Sequence, residues 1–222
     1  MAGTYLIDYI TDAQRLLHDA TYRFWSQQDL IDYVNKARML IVAETGCNRQ
    51  LATMDIAAAT DRAGATYSFS SIIVSPVQRE VIDILDISLQ YNTTTNYQLR
   101  YVPFSDAIRT NLWQYQNAGT PTHYTIHNRT VIIMQYPSIA YPASTFDCVV
   151  EPLELAVEVN GDNADLETDL INPYTECVGF YVAYLAKLQN QQRTDAEAFL
   201  TDYHKRKLQA IGTEFTRRLI GR

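Results

Sequence analysis

Glu151 and Glu154 come nearest to a reacting pair in this chain. Two carboxylates flanking a glycosidic bond can share the acid and base roles of hydrolysis. Sequence does not fix their separation, and the preferred reading is two solvated carboxylates on an acidic rim. His123 and His127 have the spacing that puts two metal ligands on one helix face. Tyr124-Thr125-Ile126 between them is a strand signal, so they read as strand histidines. Asp165, Glu167 and Asp169 alternate as at the start of a calcium-binding loop, but Leu170 stands where that loop needs glycine. They read instead as acids decorating a loop. Cys47, Cys148 and Cys177 lie too far apart for a disulfide framework or a zinc motif, and are expected as reduced thiols. Asn128-Arg129-Thr130 is a glycosylation sequon only in a secreted protein. No nucleophile elbow, phosphate loop or dinucleotide fingerprint occurs. The expectation is a protein with no catalytic residue, no metal and no cofactor.

Charge gives a second lead. Lys205, Arg206, Lys207, Arg217, Arg218 and Arg222 face only Glu214, a local charge of +5. The net charge of −7 therefore leaves −12 on the rest of the chain. Asp147, Glu151, Glu154, Glu158, Asp162 and Asp165 open a stretch to Asp169 without Lys or Arg. A basic end on an acidic body suggests that the two parts face different partners. The basic end also admits a nucleic-acid-binding reading, against which stands the lack of a basic groove elsewhere. No apolar run approaches the roughly 18 residues that span a bilayer. Met1–Gly3 leads straight into an amphipathic stretch, so no signal peptide is expected.

The elements that must position these residues change period along the chain. Leu6, Ile10, Ala13 and Leu17 share a helical stripe in a first helix over 5–19, capped by Thr4. Ser26 caps a second helix, Asp29 completes a capping box, and Gly46 ends it. Its buried face is Leu30, Val34, Ala37 and Ile41. Thr66–Val74, Val81–Leu89, Tyr97–Val102, Tyr124–Ile126, Thr130–Gln135 and Phe146–Val150 read as strands. Turns are expected at Asp61–Gly64 and Asn92–Asn96, and a short helix at Asp106–Trp113 capped by Ser105. After Pro173 the helical period returns. Tyr174, Cys177, Val178, Tyr181, Leu185 and Leu188 share a face, Phe180 and Tyr184 share another, and this helix is expected at the centre of a bundle. Thr194-Asp195-Ala196-Glu197 caps a last helix, which Gly212 is expected to end.

The expected class is α+β. Residues 1–50 and 172–211 form a helical core, 51–171 an inserted antiparallel β sandwich or barrel-like domain, and 212–222 a C-terminal docking arm. Sixteen tyrosines, apolar bodies with polar tips, favour an interaction protein over an enzyme.

On Phe24-Trp25-Ser26 through Ala37, Arg79–Ile84, Ala118–Tyr124, Val131–Pro137 and Tyr174–Leu188 with Asp195–Phe199, the chain resembles the head-to-tail connector, or adaptor, proteins of short-tailed bacteriophages. The resemblance follows the order of elements over most of the chain. It implies a virion protein at the head–tail junction, made in the bacterial host cytoplasm. Such a protein forms a ring, expected as a dodecamer, beneath the portal. The ring extends the DNA channel, attaches the tail nozzle or hub, and lets genomic DNA pass during ejection without specific binding; no membrane is involved. It implies portal docking by Lys205, Arg206, Lys207, Phe215, Arg217, Arg218, Leu219, Ile220 and Arg222. The acidic residues would line a channel or rim through which DNA slides, since Lys and Arg contacts to phosphate would hold it. The alternative function is a virion-associated cell-wall hydrolase acting through acidic residues.

Overall fold

A computed structural model describes residues 4–61, 65–74, 79–91, 95–109, 118–157 and 164–220, with the backbone alone for 215–220. Residues 62–64 and 92–94 of the expected turns, residues 110–113 of the expected short helix, and Glu158, Asp162 and Arg222 lie outside them. The chain forms two units. Residues 1–48 and 152–222 make a helical unit, and 49–151 make a β unit. The class is α+β, with N- and C-terminal helices packed together and β-sheets inserted between them.

The helical unit contains α1 (Leu6–Leu17), α2 (Gln27–Thr45), α4 (Thr175–Gln189) and α5 (Arg193–Ile220); the short α3 (Phe104–Arg109) belongs to the β unit. Chain chemistry sets the ends. Ser26 accepts from Asp29 N while the Asp29 carboxylate takes Ser26 N at 3.1 Å, and Gly46 closes α2 at φ 62°. Tyr5, rather than Thr4, precedes α1, and the Asp8 carboxylate holds its N–H at 2.8 Å. α5 starts one residue before Thr194, with Ala196 N donating to Gln192 O at 3.0 Å. α3 starts at Phe104 rather than Asp106, because Ala107 N already bonds Pro103 O at 2.9 Å.

α4 is central, packing on α1, α2 and α5. Its inward face matches the expected one at Cys177 and Val178, with Tyr174 buried just before it, and departs from it beyond. Cys177, Val178, Gly179, Val182, Ala183 and Ala186 are buried, whereas Tyr181 and Leu185 are half-buried and Leu188 is exposed. Three neighbours crowd this helix, so its small residues turn inward. Gly179 sits where an added Cβ would touch Asp12 and Leu16 at 3.6 Å.

The β unit holds β1 (Arg49–Ile56), β2 (Thr66–Ser68), β3 (Val81–Gln90), β4 (Asn96–Gln98), β5 (Arg100–Tyr101), β6 (Ala118–Gly119), β7 (His123–Ile126), β8 (Thr130–Met134), β9 (Tyr136–Pro137) and β10 (Tyr141–Val150). One sheet runs β1-β10-β3-β4 and is antiparallel throughout. A second runs β2-β8-β7-β5, antiparallel except for β5 beside β7; β6 and β9 form a short parallel pair. Both four-stranded sheets feed one apolar core, and they stay open instead of closing into a barrel. β2 is shorter than its apolar run suggests, because Phe69–Ser71 turns into a 3₁₀ turn with Ser70 N on the Ser68 hydroxyl.

β3 breaks the two-residue alternation of a strand. Val81, Ile84 and Ile87 are all buried, three residues apart. The register against β10 skips Leu85 and then Ile82, so each skip inserts one residue and re-aims the next apolar side chain at the core. Asp83 and Asp86 take the N–H of Ile84 and Ile87 at 2.8 Å.

Gly212 does not end the last helix. α5 runs through it for 28 residues in all, so the expected docking arm after Gly212 continues the helix to Ile220. A Cβ at Gly212 would meet nothing within 4 Å. A mid-helix glycine loses more conformational freedom than alanine, so Gly212→Ala should raise stability by about 0.5–1 kcal/mol. Urea unfolding measures it, and a loss of stability would contradict the helical assignment there.

Candidate functional site

The chemistry-bearing residues of the helical unit converge on one buried cation. Arg38 lies on the apolar stripe of α2, four residues after Val34 and three before Ile41, and is 1% exposed. A buried guanidinium needs charge and hydrogen-bond partners. Its Nε and Nη2 donate to Glu167 Oε2 and Oε1 at 2.6 and 2.8 Å, and Nη1 donates to Leu153 O. Asp169 stands 3.9 Å away. Glu167 also accepts from Tyr9 OH at 2.9 Å and from the N–H groups of Asp169 and Leu170. Burial pushes the Glu167 carboxyl up, but the Arg38 hydrogen bonds and charge with the two backbone N–H groups outweigh it, holding Glu167 below the ordinary carboxylate value. Tyr9 is pushed up by burial and by the Glu167 charge, and stays a neutral donor.

Glu167 and Asp169 are thus not loop decoration. They anchor a strap, 152–157 and 164–171, onto α1 and α2. Asn35 brackets Leu155 with two 2.9 Å bonds, and the Asp169 carboxylate takes Leu153 N at 2.7 Å. Ala156 N bonds Ala164 O at 3.1 Å, Leu6 N bonds Asp165 O at 2.7 Å, and Glu167 N bonds Thr4 O at 2.8 Å. With Leu155 buried as its peg, the strap leaves Leu153, Glu154 and Val157 exposed in a fixed conformation. Sequence reasoning missed Arg38, although a charge on an apolar helical stripe was the available signal.

The acidic candidates are divided between the units. Asp147 lies on β10, ion-paired with Arg49, and Glu151 N bonds Glu80 O. Burial and the Glu80 charge raise the Glu151 carboxyl, partly offset by Arg129. Glu154 and half-buried Asp165 belong to the strap. In the β unit, Ser68, Phe69, Ile72, Glu80 and Arg129 line an open cleft of about 530 Å³, in which Arg129 pairs with Glu80. His127 follows β7 and stacks on Phe104 at 3.9 Å, while His123 bonds the Thr122 hydroxyl.

The basic candidates also need correction. An end at Gly212 would have put Lys205, Arg206 and Lys207 near the close of the last helix, but with α5 running to Ile220 they lie mid-helix. Lys207 turns inward, with Nζ on Glu44 at 2.7 Å beside the Tyr203 hydroxyl bonding the same carboxylate at 2.6 Å. Lys205 and Arg206 stay outward, near Asp202 and Glu176. Phe215, Arg217, Arg218, Leu219 and Ile220 lie on the last helical turns, past the level where Glu214 meets Tyr174 just before α4. Among the described residues no cluster of three or more His, Cys, Asp or Glu is placed to hold a metal, and no helix is long and apolar enough to cross a membrane. No family model and no curated protein matches this chain.

Glu167→Gln should cost about 3–5 kcal/mol near neutral pH, because it leaves a buried guanidinium short of its counter-charge. The folded state holds Glu167 below its ordinary value of 4.5, so this contribution is fully present above 4.5 and is lost as pH falls below it and through the lower value of the folded state. Urea unfolding across that range should show wild type losing stability with acid more steeply than the variant. Parallel acid profiles would contradict the assignment.

Proposed function

We propose that this chain is a non-enzymatic head-to-tail adaptor of a short-tailed phage, a ring-forming virion protein between portal and tail. The observation that carries the reading is the architecture. A helical unit built from both termini brackets a β insertion, as expected for that family, and its last helix runs on past the start of α4. In the ring, helical units pack side by side and the β unit is offered to the tail nozzle or hub. Residues 215–222 reach the portal, with Phe215, Leu219 and Ile220 as apolar contacts and Arg217, Arg218 and Arg222 as charges. The extension being helical as far as Ile220 lowers the ordering cost of docking compared with a loose tail. DNA passes the assembled channel without specific binding.

The raised Glu151 carboxyl near Glu80 is the one feature favouring the hydrolase alternative. A carboxyl held above its ordinary value by burial and a neighbouring acid is the kind of group that can protonate a leaving group. Arg129 pairing with Glu80 suits a structural role instead. Purified protein on host cell-wall material decides between them: activity lost in Glu151→Gln would establish the hydrolase.

Portal rings of the phage that encodes the chain should co-sediment with the full chain and not with a chain ended after Glu214. That truncation keeps the Tyr174–Glu214 bond, so the helical unit stays folded. Equal co-sedimentation of both chains would overturn the docking role.

A further inference from the structure

The helical unit carries two exposed apolar strips with opposite charges at their edges. The first is the outer edge of the strap, where Leu153 is 38% and Val157 54% exposed on either side of exposed Glu154. Asn35, Arg38 and Asp169 hold its backbone, so little ordering remains to be done when a partner binds. The second is the face of α5 turned away from α4. Tyr203 and Ala210 are buried on the inner side, while Leu208 is 67% and Ile211 40% exposed on the other, with His204 and Lys205 beside them. Lys205 pairs with the exposed Asp202 one turn away, a contact that costs little to exchange.

Each surface is a short apolar strip with a charge at its edge, acidic on the strap and basic on the helix. Both are exposed in the same chain, so neither covers the other. Every copy therefore carries one exposed strip of each kind. We propose that the outer face of α5, through Leu208, Ile211 and Lys205, docks on the strap edge of a second copy, through Leu153, Val157 and Glu154. This contact is head-to-tail: it uses different surfaces on the two copies, leaves both outer halves open, and closes into a ring when its rotation permits. It deepens the adaptor reading by naming the subunit contact and rests on it for the ring. The docking segment 215–222 takes no part in it.

The test is sedimentation of the full chain alone, from about 1 to 200 µM, in low salt and at about 0.5 M salt. Wild type should gain mass with concentration in low salt and lose it in high salt. Leu208→Glu, at an exposed position that does not carry the fold, should weaken association by about tenfold or more. Glu154→Lys and Lys205→Glu should each weaken it by about fivefold, and the double variant should recover most of the loss. A wild type that stays monomeric throughout, Leu208→Glu that associates like wild type, or a double variant without recovery would each overturn the contact. Binding of short duplex DNA by the Lys205 face, in place of self-association, would overturn it too. Portal binding is a separate measurement: self-association without it supports this contact while removing the adaptor reading, and portal binding by a chain that stays monomeric does the reverse.

Discussion

A charged side chain inside an apolar bundle shapes the helical unit. Removing a guanidinium and a carboxylate from water costs several kcal/mol per ion, and their attraction repays it only with good geometry and full hydrogen bonding. Arg38 and Glu167 meet that condition through two direct bonds, the Tyr9 hydroxyl, the Leu153 carbonyl and two backbone N–H groups. The requirement is directional in a way that apolar packing is not. A strap displaced along α2 would leave both charges buried and unpaired, which specifies a single position for residues 152–157 and 164–171. The exposed residues of the strap inherit that position.

The β unit solves a different problem with a similar device. Two inserted residues on β3 turn three-residue spacing into a continuous buried face, and Asp83 and Asp86 satisfy N–H groups beside those insertions. Polar groups there fix where apolar side chains point. Both units are thus ordered by a few polar contacts placed within apolar surroundings.

Much of this architecture was legible in the chain. Ser26, Asp29 and Gly46 are local signals, and α2 begins and ends where they put it. The change from helical to strand period at the β insertion, and back after Pro173, is equally local. What was not legible depended on neighbours. The inward face of α4 goes to its small residues because three helices crowd it, which its own sequence does not reveal. Gly212 reads as a stop, yet only a left-handed conformation would make it one, and the helix continues. Among the candidate docking residues, Lys207 pairs with Glu44, an intramolecular partner far away in sequence. The carboxylates of 165–169 looked alike in sequence, and only burial separates half-exposed Asp165 from Glu167 and Asp169.

Hydrogen exchange at single amides tests most directly whether the buried ion pair fixes the strap. The N–H groups of Leu153, Leu155, Asp169 and Leu170 all bond within the network that Arg38 organises. In an Arg38→Met, Glu167→Met, Asp169→Asn triple variant, which removes the buried cation together with both buried carboxylates beside it, the account predicts faster exchange at all four together. Amides of β3 and β10 should keep their wild-type rates. Unchanged protection of the strap amides in that variant would contradict the claim that this one interaction sets the strap in place.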